Sequence, residues 1–156
     1  MTRLFAFAVT MLLFSTAYYT PGSSLFDNVT GTWKRTSMTL VDASGKATDM
    51  MQMMTKSMPC SKDITYTFTS DGQMRTIVPD ACGSLKKTIE SMNATGRWTS
   101  HGDKVTVTTT MKDIPPATYD LKIQGNTMTW IFNYSDNPKT PNPTKAKRMA
   151  ITYQKL

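Results

Sequence analysis

Three hairpins constrain this chain more than any other feature of its sequence. Apolar and polar residues alternate in the runs that flank Asp71-Gly72, His101-Gly102 and Gly125-Asn126. Such alternation is typical of strands with one buried face, and glycine-containing pairs are typical of tight turns. Successive hairpins that share one apolar face predict a meandering sheet or a closed barrel.

The third hairpin predicts its own register. If Gly125-Asn126 forms the turn, the apolar residues on either side of it oppose each other on one face. The predicted pairs are Ile123 with Met128, Leu121 with Trp130, and Tyr119 with Phe132. A half-buried hairpin requires this arrangement.

The first hairpin yields a register in the same way. If Ser70 opposes Gln73 across Asp71-Gly72, Arg75 faces Phe68 on the apolar side, and Cys60 lies almost opposite Cys82 at the open end. These are the only two cysteines, so we predict a disulfide between them. A metal pair would need further ligands, which the sequence does not offer.

The chain reads as an all-β protein with eight strands. Threonine, valine, isoleucine and aromatic residues dominate these runs. The predicted strands are Thr32–Val41, Asp63–Ser70, Gly72–Val78, Gly96–Ser100, Asp103–Met111, Thr118–Gln124, Asn126–Tyr134 and Lys145–Lys155. An eight-stranded antiparallel up-and-down β-barrel leaves no exposed edge, whereas a two-sheet sandwich is the competing arrangement. Leu85, Ile89 and Met92 predict a short helix within Gly83–Thr95.

The N-terminal residues predict export. Arg3, the apolar run Leu4–Phe14 and the small residues Ser15-Thr16-Ala17 resemble a signal peptide over residues 1–17. A linker over 18–28 and one barrel domain over 29–156 would follow. A retained anchor is the alternative, although Leu4–Tyr19 is short for a membrane span. We expect a secreted or periplasmic protein with an oxidised cysteine pair, and no lipid anchor because no cysteine follows the signal.

The net charge and the residue types limit the kinds of partner that we expect this chain to bind. The formal net charge is +7, which favours mild peripheral contact with anionic surfaces. Export and the scattered basic residues argue against nucleic-acid binding. The single histidine, His101, falls in a predicted turn, so no nucleophile–base constellation can be assembled. We expect no enzymatic activity, no cofactor and no metal site.

Several motifs, in order, suggest a family. They are Gly31-Thr32-Trp33 opening the first strand, Cys60-Ser61-Lys62-Asp63 leading to Ser70-Asp71-Gly72, and Gly96-Arg97-Trp98 followed by Gly102-Asp103-Lys104. From about Val29 to the C-terminus the chain resembles the bacterial lipocalin-like domains. That resemblance implies a lipocalin-like barrel that holds a small apolar ligand, and it implies no catalytic chemistry.

The register and the resemblance together give the candidate ligand site. An eight-stranded barrel either packs solid or holds one small ligand. The inward residues that we predict to contact the ligand are Tyr66, Phe68, Arg75, Trp98, Tyr119, Trp130 and Phe132. We expect Arg75, helped by Arg35, to bind the carboxylate of a fatty-acid-like ligand. A solvated arginine at the rim, or one stacked on Trp33 or Trp98, is the alternative.

A methionine-rich stretch joins the first two predicted strands. Methionine side chains adapt to varied apolar shapes, so the segment containing Met51 and Met54 is predicted to cover one barrel mouth as a lid. It could equally be a helical plug, and thioethers could bind Cu(I). The sequence favours a binder of a small hydrophobic or amphipathic molecule, with a solid-cored structural or protein-interaction module as the alternative. It does not determine the oligomeric state.

Overall fold

The computed structural model describes residues 28–92, 96–111 and 114–156, which form a closed barrel. The predicted signal peptide over 1–17 and all but the last residue of the predicted linker lie outside these residues. Nine strands are present in the described part: β1 Gly31–Asp42, β2 Ala47–Asp49, β3 Thr65–Phe68, β4 Gln73–Ile77, β5 Gly96–His101, β6 Lys104–Thr109, β7 Ala117–Gln124, β8 Thr127–Asn133 and β9 Ala146–Lys155.

The barrel consists of eight of these strands, as predicted. Each strand from β3 to β9 pairs with the next one, and β1 closes the ring by pairing with β3 on one side and β9 on the other. All pairings are antiparallel. The closed barrel is therefore confirmed and the sandwich is excluded. The short β2 pairs with the end of β1 as an additional, exposed strand that the sequence analysis did not predict.

The third hairpin has the predicted register. Leu121 pairs with Trp130, Ile123 with Met128, and Gln124 with Thr127 across the turn. Gly125 has φ +57°, and no positive φ occurs at Asn126, which fits a type II′ turn. Two-residue turns of this kind match the twist of the flanking strands, so the sequence pattern leads directly to the observed pairing.

The register predicted for the first hairpin is wrong by one residue. Phe68 pairs with Met74, and Thr67 pairs with Arg75. The connection holds an extra residue, because the Thr69 backbone N–H donates to the Gln73 carbonyl (2.9 Å) around a three-residue turn that ends at Gly72. A one-residue slip reverses every side chain. Arg75 consequently lies on the outer face, exposed, and donates to the Gln73 side chain (3.0 Å).

Gly72 explains why this longer turn forms. It has φ +78°, the left-handed conformation that closes three-residue hairpin loops. Its carbonyl accepts a hydrogen bond from the Trp98 backbone N–H (2.8 Å), and a Cβ at Gly72 would meet the Trp98 carbonyl oxygen at 3.0 Å. The turn is thus packed against β5, where a side chain has no room.

The second hairpin turns one residue later than predicted. His101 pairs with Lys104, so Gly102 and Asp103 form the turn and His101 ends β5. Trp98 pairs with Val107, and both side chains are buried. The predicted inner face of this hairpin is therefore correct.

A β-bulge in β1 changes which side chains face inward. Arg35 pairs with Tyr153 of β9, whereas Ser37 pairs with Thr152, which leaves Thr36 as the extra residue. Before the bulge Trp33 and Arg35 point into the barrel. After it, Met38 pairs with the buried Ile151 and shares that face.

Aromatic side chains fill the middle of the barrel. The Phe68 ring lies 5.9 Å from the Trp98 ring and 5.3 Å from the Trp130 ring, between centroids. The end with the short turns is closed by the fully buried Trp33. Its indole N–H donates to the Val29 carbonyl (2.7 Å), and the Lys155 ammonium lies 5.3 Å from its ring centroid.

The predicted disulfide and short helix are both present. Cys60 and Cys82 are bonded, with 5.3 Å between their Cα atoms, and each lies in a short 3₁₀ segment. Helix α1 comprises Met50–Ser57, and α2 comprises Leu85–Met92. Asp49 caps α1 by accepting from the Gln52 backbone N–H (2.8 Å), which accounts for where this helix begins.

Candidate functional site

The two ends of the barrel differ. The tight turns after β3, β5 and β7 lie at one end, together with Trp33. The four long connections lie at the other end, which we call the open end: β1 to β3 through α1, β4 to β5 through α2, β6 to β7, and β8 to β9. A ligand that enters the barrel lengthwise meets this end first.

A cavity of about 400 Å³ lies at the open end. Its inner wall is formed by Ala117 and Tyr119 of β7, Phe132 of β8 and Met149 of β9, which all lie on the inward faces of their strands. Side chains of the long loops complete it: Ile114, Pro115, Tyr134, Thr140 and Pro141. The wall is predominantly apolar, with the tyrosines and one threonine as its polar groups.

The predicted aromatic contacts divide into two groups. Tyr119 and Phe132 line the cavity, with ring centroids 5.3 Å apart. Tyr66, Phe68, Trp98 and Trp130 are buried below it in the packed core. Trp130 connects the two groups, because its ring lies 5.1 Å from Tyr119 and 5.3 Å from Phe68.

The methionine-rich segment lies at the open end but not on this cavity. Met51 of α1 is buried and Met54 is half-buried, while Met53 is exposed. Helix α1 packs on β1 and on the 3₁₀ segment that carries Cys60. The residues that line the cavity come instead from the β6–β7 and β8–β9 connections.

Asn137 is a positioning residue that the sequence analysis missed. Its buried side-chain amide accepts from the Thr118 backbone N–H (2.9 Å) and donates to the carbonyls of Thr118 (3.0 Å) and Asn133 (2.9 Å). These bonds fasten the β8–β9 connection to the start of β7. The segment with Thr140 and Pro141 is thereby held at the cavity. An Asn-Pro pair marks a turn, but its partner on β7 cannot be read locally.

Arg35 is the second residue with an unpredicted position. It takes the inward place that was expected for Arg75, and its guanidinium carbon lies 5.7 Å from the Tyr66 ring centroid. Its Nε atom is buried and has no hydrogen-bond partner in the described part of the chain, and the same holds for Nε1 of Trp130. The barrel interior therefore contains hydrogen-bond donors that no acceptor among the described residues satisfies.

Burial also perturbs the interior tyrosines. It raises the pKa of Tyr119 to about 12, with a smaller contribution from Tyr134. Burial raises the pKa of Tyr153 and of Tyr66 as well, and the Arg35 charge opposes the rise at both. These hydroxyls hold their protons at neutral pH and can act as donors or acceptors toward a ligand.

We expect alkaline pH to destabilise the protein through Tyr119. The unfolded chain releases the phenol proton near pH 10.0, while the folded protein retains it to about pH 12. The free energy of unfolding should thus be unaffected by this group below about pH 10 and fall as the pH rises towards 12. Urea unfolding across this range should show a weaker decline for Tyr119→Phe than for the wild type. An unchanged decline in Tyr119→Phe would contradict the assignment.

Neither a metal-binding cluster nor a membrane-spanning helix is present among the described residues. No group of three or more His, Cys, Asp or Glu side chains could hold a metal ion in the part of the chain that the structure describes. The helices in the described part of the chain lack the length and the apolar character that crossing a lipid bilayer requires.

Comparison with known proteins gives one match. A family model described as a lipocalin-like domain matches residues 29–130, from the start of the barrel to the middle of β8. No curated protein and no solved structure matches the chain.

Proposed function

Because this chain belongs to the lipocalin-like domain family, whose fold is a barrel of the ligand-binding type, we propose that it binds a small hydrophobic or amphipathic molecule at its open end. The cavity of about 400 Å³ carries this proposal, because that volume falls within the range of small-molecule sites. Tyr119, Phe132 and Met149 would contact the ligand directly.

We assign roles to the other predicted site residues from their positions relative to the cavity. Trp130 would form the floor of the cavity, with Tyr66, Phe68 and Trp98 supporting it from below. Met51 and Met54 in α1 stand as a flexible border of the open end, able to adapt to a ligand that extends beyond the cavity. Lipocalin-like proteins are typically binders without enzymatic activity, and we propose the same here, with no cofactor.

We further propose that the protein acts outside the cytoplasm, as a secreted or periplasmic protein. The disulfide supports this location, since such bonds persist in oxidising compartments. The signal-like composition of residues 1–17 supports it independently. Net positive charge would add mild attraction to anionic surfaces there, and nucleic acid is not among the proposed partners.

A structural or protein-interaction module is the second candidate function. The observation that favours it is the packed centre of the barrel. Phe68, Trp98 and Trp130 fill this centre, so that a ligand could be accommodated only at the open end. The two functions differ in a measurable way. Native mass spectrometry of protein purified from its own host should detect a co-purifying small molecule if the first function is correct.

Filling the cavity should weaken binding. Ala117 faces the cavity, so Ala117→Phe should weaken binding of the neutral fluorescent probe N-phenylnaphthylamine by about tenfold or more, which corresponds to about 1.4 kcal/mol. Ala150 lies on the outer face, opposite Ile131, and Ala150→Phe is the matched control that should leave binding unchanged. Fluorescence titration measures both. Equal affinity in the two variants would exclude this cavity as the site, and no binding to the wild type would favour the module.

A further inference from the structure

Exposed apolar side chains are concentrated at the open end of the barrel. In the described part of the chain, the exposed large apolar residues are Met53, Ile77, Leu85, Met111, Ile114 and Leu156. All but the last belong to α1, to α2, to the β6–β7 connection or to the final position of β4, and these all lie at the open end. Single apolar residues scattered over a surface need no partner, whereas a set on one end indicates an interaction site.

The same end carries basic side chains without acidic partners. The described residues form salt bridges through Lys34, Lys86 and Lys104, and Asp63 and Asp80 are among the carboxylates in these pairs. The exposed basic residues at the open end that take part in none of these salt bridges include Lys46, Lys87, Lys139, Lys145, Lys147 and Arg148. The described residues of this end therefore present more unpaired positive charge than negative charge.

A second β-bulge brings two of these cations to one groove. Val41 of β1 pairs with Arg148, whereas Asp42 pairs with Ala146, which leaves Lys147 as the extra residue of β9. In a regular strand the side chains of Lys147 and Arg148 would point to opposite faces. Here both are exposed, and both line a groove of about 320 Å³ beside the β1–β2 turn, which we call the basic groove.

The acidic residue next to the basic groove is hydrogen-bonded to its own turn. The Asp42 carboxylate accepts from the Ser44 hydroxyl (2.6 Å) and from the backbone N–H groups of Ser44 (2.9 Å) and Lys46 (3.0 Å). It forms no salt bridge with Lys147 or Arg148 among the described residues. The two cations are therefore available to an anionic group from outside the chain, such as a phosphate.

The apolar side chains distinguish between the anionic partners that the basic groove could serve. A hydrated polyanion would contact the cations and gain nothing from Met53, Leu85 and Ile114. An anionic bilayer uses both kinds of side chain. Apolar groups enter the boundary between head groups and acyl chains, while basic groups are attracted to the charged head groups. The presence of both on one end favours a lipid surface.

We propose that the open end of the barrel docks on an anionic lipid surface. The basic groove contacts the head groups, and Met53, Leu85 and Ile114 enter the boundary beneath them. In this orientation the cavity at the open end faces the bilayer. Such docking goes beyond the proposed function, because it requires no ligand in the cavity.

Vesicle sedimentation tests this docking. Protein purified from its own host is mixed with vesicles of phosphatidylcholine and phosphatidylglycerol in equal parts, or with vesicles of phosphatidylcholine alone. We expect the wild type to bind the anionic vesicles about tenfold or more tightly than the neutral ones. Added salt should weaken this binding, because it screens exposed charges. Equal binding to the two kinds of vesicle, or binding to neither, would overturn the proposal.

A pair of charge variants locates the contact. Lys147→Gln/Arg148→Gln should weaken binding to anionic vesicles about tenfold or more, because each basic side chain near anionic lipid contributes roughly fivefold. Arg75→Gln/Lys122→Gln is the matched control, since it removes the same charges from exposed positions on the side of the barrel. It should change binding by no more than about twofold. An equal loss in both variants would exclude the basic groove as the contact.

A pair of apolar variants separates a bilayer from a hydrated polyanion. Met53→Gln/Leu85→Gln should weaken binding about fivefold or more, since these side chains would lose apolar contact with the bilayer. Leu156→Gln is the control, because Leu156 is 71% exposed at the opposite end. If Met53→Gln/Leu85→Gln binds like the wild type, the apolar contact is absent and the proposal fails. Unfolding midpoints in urea that match the wild type show that a loss of binding is not a loss of fold.

Discussion

Replacing Phe68 by alanine is expected to lower the free energy of unfolding by about 3–5 kcal/mol, the range for aromatic-to-alanine changes in packed cores. Phe68 is 1% exposed and contacts both Trp98 and Trp130. Removal of its ring leaves a cavity in the centre of the barrel, because the two large indoles that pack against it cannot collapse into the space in a close-packed interior. For a domain of this size such a loss is a large part of the total stability.

Urea unfolding followed by tryptophan fluorescence measures this effect. Thr67→Ala is the control, since Thr67 is the neighbouring residue on the opposite face of β3 and its hydroxyl lies 3.2 Å from that of Thr32. That change should cost about 1 kcal/mol or less. If Phe68→Ala costs no more than Thr67→Ala, the centre of the barrel is not the packed core described above.

Loss of the disulfide is expected to have the next largest effect. Cys60 and Cys82 are separated by 22 positions, and closing a loop of this length contributes roughly 3 kcal/mol in the chain-entropy model. The bond also joins the connection that follows α1 to the one that precedes α2. The Cys60→Ser/Cys82→Ser double variant should therefore unfold at a lower urea concentration than the oxidised wild type.

A reductant provides the matched comparison. Dithiothreitol should shift the unfolding midpoint of the wild type to that of the double variant, and it should not affect the variant. A reduced wild type that is as stable as the oxidised one would show that the bond contributes nothing to folding stability.

The hairpins show how much of the strand register can be predicted from the sequence. The third was predictable in full because a two-residue turn and strict alternation specify the same register. The register predicted for the first hairpin was wrong by one residue, because the segment from Ser70 to Gly72 can form either a two-residue or a three-residue turn. The choice depends on packing of Gly72 against the Trp98 backbone, a contact between distant parts of the chain.

A backbone irregularity also explains why Arg35, and not Arg75 as predicted, faces the interior of the barrel. The three-residue turn reversed Arg75, and the bulge at Thr36 allows both Arg35 and Met38 to face inward, which strict alternation forbids. Neither irregularity has a local sequence signature. The inward positions of the aromatic residues were predicted correctly, because the face on which each lies depends only on the alternation of side chains along its strand. The cavity was beyond prediction, since it depends on where Asn137 holds the β8–β9 connection.

The pairing of β1 with β9 has a consequence for how the barrel is made. Trp33 pairs with Lys155, so the contact that closes the ring joins the first strand of the domain to its last. Chains are synthesised at about 5–20 residues per second, so β1 waits on the order of ten seconds for its partner. During that interval one edge of β1 stays unpaired and open to wrong partners. The ring therefore cannot close before β9 has been synthesised.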